Sequence, residues 1–129
     1  MSNDAHVLAL CAALTWLMIM VAANLRAGGD LTLMFSNRDN MPPPSPIAER
    51  ADRAAKNMLE NLVLFTAAYI AAKGAGATGW KVIRGAQLFL VARVVYWGLY
   101  LGGITYARTA VWGVGVAGTG LLVWAALAA

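Results

Sequence analysis

The chain has 129 residues, 60% of them hydrophobic and only 12% charged, with a mean hydropathy of +0.63. A soluble domain of this length carries about half apolar and a quarter charged residues, so this composition places the chain in a membrane as a single domain spanning 1–129. The formal net charge of +4 is small and scattered, with no Lys/Arg cluster interleaved with aromatics, which excludes a nucleic-acid surface.

The first predicted element is a helix over residues 5–26, with no charged side chain between Ala5 and Leu25. Its length is about the 20 residues needed to cross the hydrocarbon. A secretory signal would carry a basic start and a shorter apolar run, whereas Asp4 and His6 stand here. Cys11 lies among Leu and Ala and reads as a small buried hydrophobe. The polar loop "RAGGDLTLMFSNRDNMPPPSP" follows: Gly28-Gly29 end the helix, and Pro42, Pro43, Pro44 and Pro46 delay the next one.

Further helices are predicted over residues 47–73, 80–101 and 104–128, joined by "KGAGATG" and "GGIT". Short connections force antiparallel neighbours, so the expected fold is all-α, an integral-membrane up-down four-helix bundle. The side holding the first and third loops carries Arg26, Arg38, Arg50, Arg53, Lys56 and Arg108, against Lys73, Lys81 and Arg84 on the other. This asymmetry predicts a cytoplasmic proline loop with both termini on the opposite side. Gly113, Gly115, Gly118 and Gly120 in the fourth helix, and Gly98 and Gly102 in the third, read as close-packing positions. His6 has no companions in metal-ligand spacing, so no metal site is expected.

Two helices carry polarity that a lipid-facing surface does not tolerate. At about 100° per residue, Glu49, Arg50, Asp52, Arg53, Lys56, Asn57 and Glu60 share one arc, opposite Ala51, Ala54, Ala55, Met58, Leu59 and Leu62. Pairs such as Glu49 with Arg53 and Lys56 with Glu60 account for the outer turns. Asn57 and Glu60 lie deeper, where a carboxylate should face protein or water. In the third helix Arg93, Tyr96 and Tyr100 fall at i, i+3 and i+7, on one face. An arginine at such depth costs about 2.5–3.5 kcal/mol unless it has a partner or a purpose. Either Arg93 pairs with Glu60 inside the protein, or the six residues Arg53, Asn57, Glu60, Arg93, Tyr96 and Tyr100 line a polar cavity. Such a cavity suits a small ligand with carboxylates for the arginines and an ammonium for Glu60. A proton-driven exporter would instead place an acidic residue mid-helix, and the first helix has none.

The stretch "ERADRAAKNMLE" resembles the second-helix signature E-R-x-x-R-A-x-x-N-x-x-E of the MAPEG family, the membrane-associated proteins in eicosanoid and glutathione metabolism. "ARVVYWGLYLGGITYAR" is similar to that family's third-helix block, R-x-x-Y/H-x-x-x-Y with an arginine beyond the next turn. The resemblance covers essentially the whole chain. It implies a homotrimer embedded in lipid, with glutathione as bound co-substrate in a groove between subunits. Arg53, Asn57, Glu60, Arg93, Tyr96 and Tyr100 match the family's glutathione ligands, and Arg26 an arginine ending the first helix. Arg108 resembles the arginine that stabilises the glutathione thiolate, with Tyr100 second in that role. The chain departs from the family's eicosanoid-forming members, because Asp30 and Asp39 fall in the loop rather than in the first helix, and from some other members in having Ala rather than a polar residue at position 55. The implied activity is that of a microsomal glutathione transferase or peroxidase acting on lipophilic electrophiles or lipid hydroperoxides. The alternative is a membrane scaffold that binds lipid or glutathione without chemistry.

Overall fold

The computed structural model describes residues 3–129, in which four long helices and one single-turn helix account for the ordered architecture. α1 is Asp4–Arg26, α2 Leu31–Met34, α3 Pro46–Gly74, α4 Trp80–Leu101 and α5 Tyr106–Ala128. The long helices match the predicted ones to within two residues at each end. α2 was not expected from the sequence: the loop after Gly29 makes one further helical turn, with Asp30 accepting from the Leu33 N–H at 3.2 Å.

Local chemistry sets the boundaries. Asn3 caps α1 by accepting from the N–H groups of Ala5 at 2.8 Å and His6 at 3.2 Å. Ser45 caps α3, its hydroxyl oxygen 3.2 Å from the Ala48 N–H, and Pro46 takes the first helical position, where its missing N–H costs nothing. α4 ends at Leu101, and Gly103, two residues on, has a φ of 73°, the left-handed conformation glycine adopts without strain. That turn returns the Ile104 N–H to the Leu99 carbonyl at 3.0 Å and starts α5 directly beside the end of α4.

Contacts between helix ends define the direction of each element. Lys73 at the end of α3 pairs with Asp4 at the start of α1, 3.0 Å apart. Arg50, near the start of α3, donates from Nε to the carbonyl of Leu101, the last residue of α4, at 3.1 Å. Trp80 opens α4 and meets Trp124 near the end of α5 edge to face, with centroids 6.3 Å apart. Each contact joins the start of one helix to the end of another, so these pairs run antiparallel.

The core lies where α3 crosses the others. Ala48, Ala51, Ala54, Ala55, Met58, Phe65, Ala68 and Ala72 form its buried face. Phe65 stacks on Phe89 of α4 at 4.2 Å between centroids, and Cys11, Met18 and Leu122 close the interior from α1 and α5. Leu59, expected with the alanine face, is exposed instead.

α1, α4 and α5 are long and apolar enough to cross a membrane. α3 is the longest helix, with 29 residues, but the polar side chains of its first half keep it outside that group. The sequence reading expected four crossings, and three helices qualify on length and composition.

Not every predicted close-packing glycine is one. Gly98, Gly113 and Gly120 face open space, whereas Gly118 meets Gly85, a residue the sequence reading did not single out. A Cβ on Gly118 would stand 2.6 Å from the Gly85 carbonyl oxygen and 2.9 Å from the Phe89 nitrogen, both backbone atoms that cannot rotate aside. Gly118→Ala is therefore expected to force α4 and α5 apart and cost about 1–3 kcal/mol. Gly120→Ala has no neighbour to strike and should be neutral or mildly stabilising. Thermal midpoints of the two variants in detergent, measured side by side, check this; equal midpoints would remove Gly118 as the contact point.

Candidate functional site

The polar half of α3, the last two turns of α4 and the first turn of α5 converge on one region. Spacings of three and four residues place Arg93, Tyr96 and Tyr100 one above another on α4. The guanidinium carbon of Arg93 lies 4.2 Å from the Tyr96 ring centroid, and Tyr96 meets Tyr100 edge to face at 5.5 Å. The Gly103 turn then carries Arg108 over the Tyr100 ring at 4.3 Å. The result is a ladder of guanidinium, ring, ring and guanidinium, in which each aromatic face holds a cation.

Arg93 is 1% exposed, the largest fully buried side chain among the described residues. Its Nη2 donates to Asn57 Oδ1 at 2.8 Å. Its Nε is buried without a partner, a donor left available in the protein interior. Gly115 of α5 faces the arginine stem, where a Cβ would already lie 3.7 Å from Arg93 Cδ. The pairing of Arg93 with Glu60, one of the two alternatives the sequence left open, is not made: Glu60 is exposed and makes no ion pair among the described residues. Asn57 wins because it is half-buried on the side of α3 facing α4, three residues before Glu60.

On the outer rim Arg53 Nε donates to the Tyr100 hydroxyl at 3.3 Å, while its Nη1 lies 3.6 Å from Glu49. The Glu49–Arg53 pair is the expected one. Lys56 chooses Asp52, at 2.9 Å, over Glu60. Both are exposed pairs, worth little in stability. Asn57, Tyr96 and Arg108 line a cleft of about 180 Å³, together with Thr109 and Trp112 of α5. Sequence reasoning missed Thr109 and Trp112, although Trp112 lies one helical turn beyond Arg108. It also missed Asn61, which donates to Asn57 from one turn further along α3.

Arg26 stands apart from this cluster. Its Nη1 donates to the carbonyl of Pro42. It lines a separate groove of about 270 Å³ with Arg38, Asp52, Lys56 and Leu59, between the end of α1 and α3. The groove and the cleft share no residue. No group of three His, Cys, Asp or Glu side chains comes together in a metal-binding array among the described residues.

The site is thus rich in fixed donors: two guanidinium groups braced on aromatic rings, one asparagine, and a third arginine on the rim. Donors of this kind have the chemistry to hold an anionic group. No curated protein and no solved structure matches the chain. The MAPEG family model matches residues 5–128, nearly the whole chain. With membrane-length helices and this site in the same 129 residues, the chain belongs to the MAPEG family, membrane proteins of glutathione-related transferase and isomerase chemistry.

Proposed function

We propose that this protein is a homotrimeric membrane enzyme that binds glutathione and activates its thiolate for attack on lipophilic electrophiles or lipid hydroperoxides. The observation that carries this reading is the Arg93–Tyr96–Tyr100–Arg108 ladder beside a donor-lined cleft, in a chain of this family. Arg53 and Arg93 take the two carboxylates of glutathione, Glu60 its ammonium, and Arg108 its sulfur.

Two features fit a site shared between subunits, as in the trimer that the family implies. The cleft of about 180 Å³ is smaller than the ~300–1,000 Å³ of sites that enclose small-molecule ligands, which fits completion by a neighbouring copy. Arg26, which lines a different groove in its own chain, then reaches the ligand from the neighbouring subunit. The second half of α3 adds an apolar strip of Leu59, Leu62, Val63, Thr66, Ala67 and Ile70, with Val63 68% exposed. Lipid and neighbouring subunits cover that strip, which makes α3 the fourth crossing of an up-down four-helix bundle. The excess of basic residues at the ladder end favours the cytoplasmic side for it, with both termini opposite.

The test is a conjugation assay with the purified trimer in detergent, using a chromogenic aryl halide as the electrophile. Glutathione-dependent product is expected, from a particle whose mass corresponds to three chains. Binding without turnover would favour the non-catalytic scaffold, and a monomer that still binds glutathione would remove the shared site. Glu60→Gln is expected to weaken glutathione by about 1.5 kcal/mol, the low end for a hydrogen bond to a charged group, because Glu60 is exposed. Calorimetric titration reads this directly, and unchanged affinity would return Glu60 to a solvated helix face.

A further inference from the structure

The backbone carbonyl of Asn57 can only accept a hydrogen bond. The Asn61 atom that lies 2.9 Å from it is therefore the amide nitrogen. That same Nδ2 lies 3.2 Å from the side-chain oxygen of Asn57. From the opposite side Arg93, which has no acceptor, donates to this oxygen at 2.8 Å. An asparagine amide is oriented by its partners, and here both partners are donors. Turning the Asn57 amide over would set its NH₂ against the Arg93 guanidinium and the Asn61 NH₂ together.

This leaves Asn57 Nδ2 as the side chain's unused group: it makes no hydrogen bond among the described residues. Asn57 also lines the cleft, across from Arg108. We propose that Asn61 is a positioning residue that, with Arg93, locks Asn57 so that it offers the cleft a donor and no acceptor. The group of the ligand seated between Asn57 and Arg108 must then be an acceptor: a carboxylate, a thiolate or a peptide carbonyl. An ammonium is excluded there twice over, by the locked amide and by the guanidinium, and must lie further out, toward exposed Glu60. The assignment of this polarity to glutathione rests on the function proposed above; the lock itself rests only on the hydrogen bonds.

Three substitutions test it, with glutathione binding read by calorimetry and the ligand-free melting temperature read in the same detergent. Asn57→Asp keeps an oxygen for both Arg93 and Asn61 but has no N–H to offer. Its ligand-free melting temperature is expected to equal or exceed that of wild type while glutathione affinity falls more than tenfold. Asn61→Asp replaces the donor with an acceptor that pulls the Asn57 NH₂ away from the cleft. It should lose about tenfold in affinity, whereas Asn61→Gln, which keeps an NH₂, should stay within about threefold. A residue with a merely structural role would not separate Asp from Gln in this way at unchanged melting temperature. Wild-type affinity in Asn61→Asp overturns the proposal, and so does a melting temperature several degrees lower in Asn57→Asp, which would mean that Nδ2 is engaged inside the protein. Should wild type itself take up no glutathione, the function proposed above fails, and the ligand-free melting of Asn57→Asp still decides the lock.

Discussion

Replacing Arg108 with alanine is expected to raise the thiol pKa of bound glutathione by about two units. This removes about 2.7 kcal/mol of thiolate stabilisation. A free cysteine thiol titrates near ~8.5, so without help little of it is ionised at neutral pH. The thiolate is the nucleophile, and a neighbouring guanidinium favours it. On the function proposed above, Arg108 has this role. It is half-buried in the first turn of α5, lines the cleft, and is held over the Tyr100 ring at 4.3 Å rather than swinging free. The first N–H groups of α5 have no side-chain cap and add a favourable field for an anion. A shift from ~6.5 to ~8.5 would cut the ionised fraction at pH 7 about 25-fold, and conjugation should slow by a similar factor. Affinity should change less, because Arg53 and Arg93 remain. Tyr100→Phe removes only the hydroxyl that accepts from Arg53, so its effect should be smaller. The measurement is the ultraviolet thiolate absorbance of bound glutathione titrated against pH in wild type and Arg108→Ala. The same thiol pKa in both would leave Arg108 as a positive anchor at the membrane surface and move activation to Tyr100.

Much of this arrangement was legible in the residues because it is local. The prolines up to Pro46 hold back α3 to within one residue of its start, and the i, i+3, i+7 spacing of Arg93, Tyr96 and Tyr100 dictates one face in any helix. The Gly103 turn then leaves Arg108 little choice of neighbour. What was not legible depends on geometry between elements. Asn57 and Glu60 lie three residues apart on one polar arc, and only the crossing of α3 with α4 decides which of them Arg93 meets. Lys56 stands four residues from both Asp52 and Glu60, and a one-turn spacing cannot rank them. Gly85 has no patterned partner within α4, and its role exists only because Gly118 arrives opposite it. α2 is a single turn, too short to carry a hydrophobic period. Arg26 is a longer-range case still, since it lines a groove that shares no residue with the cleft.

Arg93→Met is the substitution that separates holding the fold from holding the ligand. Arg93 is 1% exposed, with one hydrogen bond to Asn57 and a buried Nε that has none. It makes no salt bridge among the described residues, so its charge is taken out of water without a carboxylate to compensate. Even a buried ion pair can often be replaced by apolar side chains of similar volume at no cost or with a gain of about 1–4 kcal/mol, and Arg93 lacks, among the described residues, the carboxylate partner that would offset its desolvation. Methionine keeps the unbranched stem that packs under Gly115, and Asn57 retains its bond from Asn61. The ligand-free melting temperature is therefore expected to hold or rise. Glutathione affinity should move the other way. Truncating one partner of a buried, hydrogen-bonded charge pair costs about 2–5 kcal/mol, and on the present reading the missing partner of Arg93 is a carboxylate of the ligand. An affinity loss of 30-fold or more at an unchanged or higher melting temperature would identify the arginine as a binding residue whose burial is a cost to the fold. Two results would count against this: a variant that melts several degrees lower, which would make Arg93 a structural strut, or one that binds glutathione as wild type does, which would leave the carboxylates to Arg53 and the neighbouring subunit.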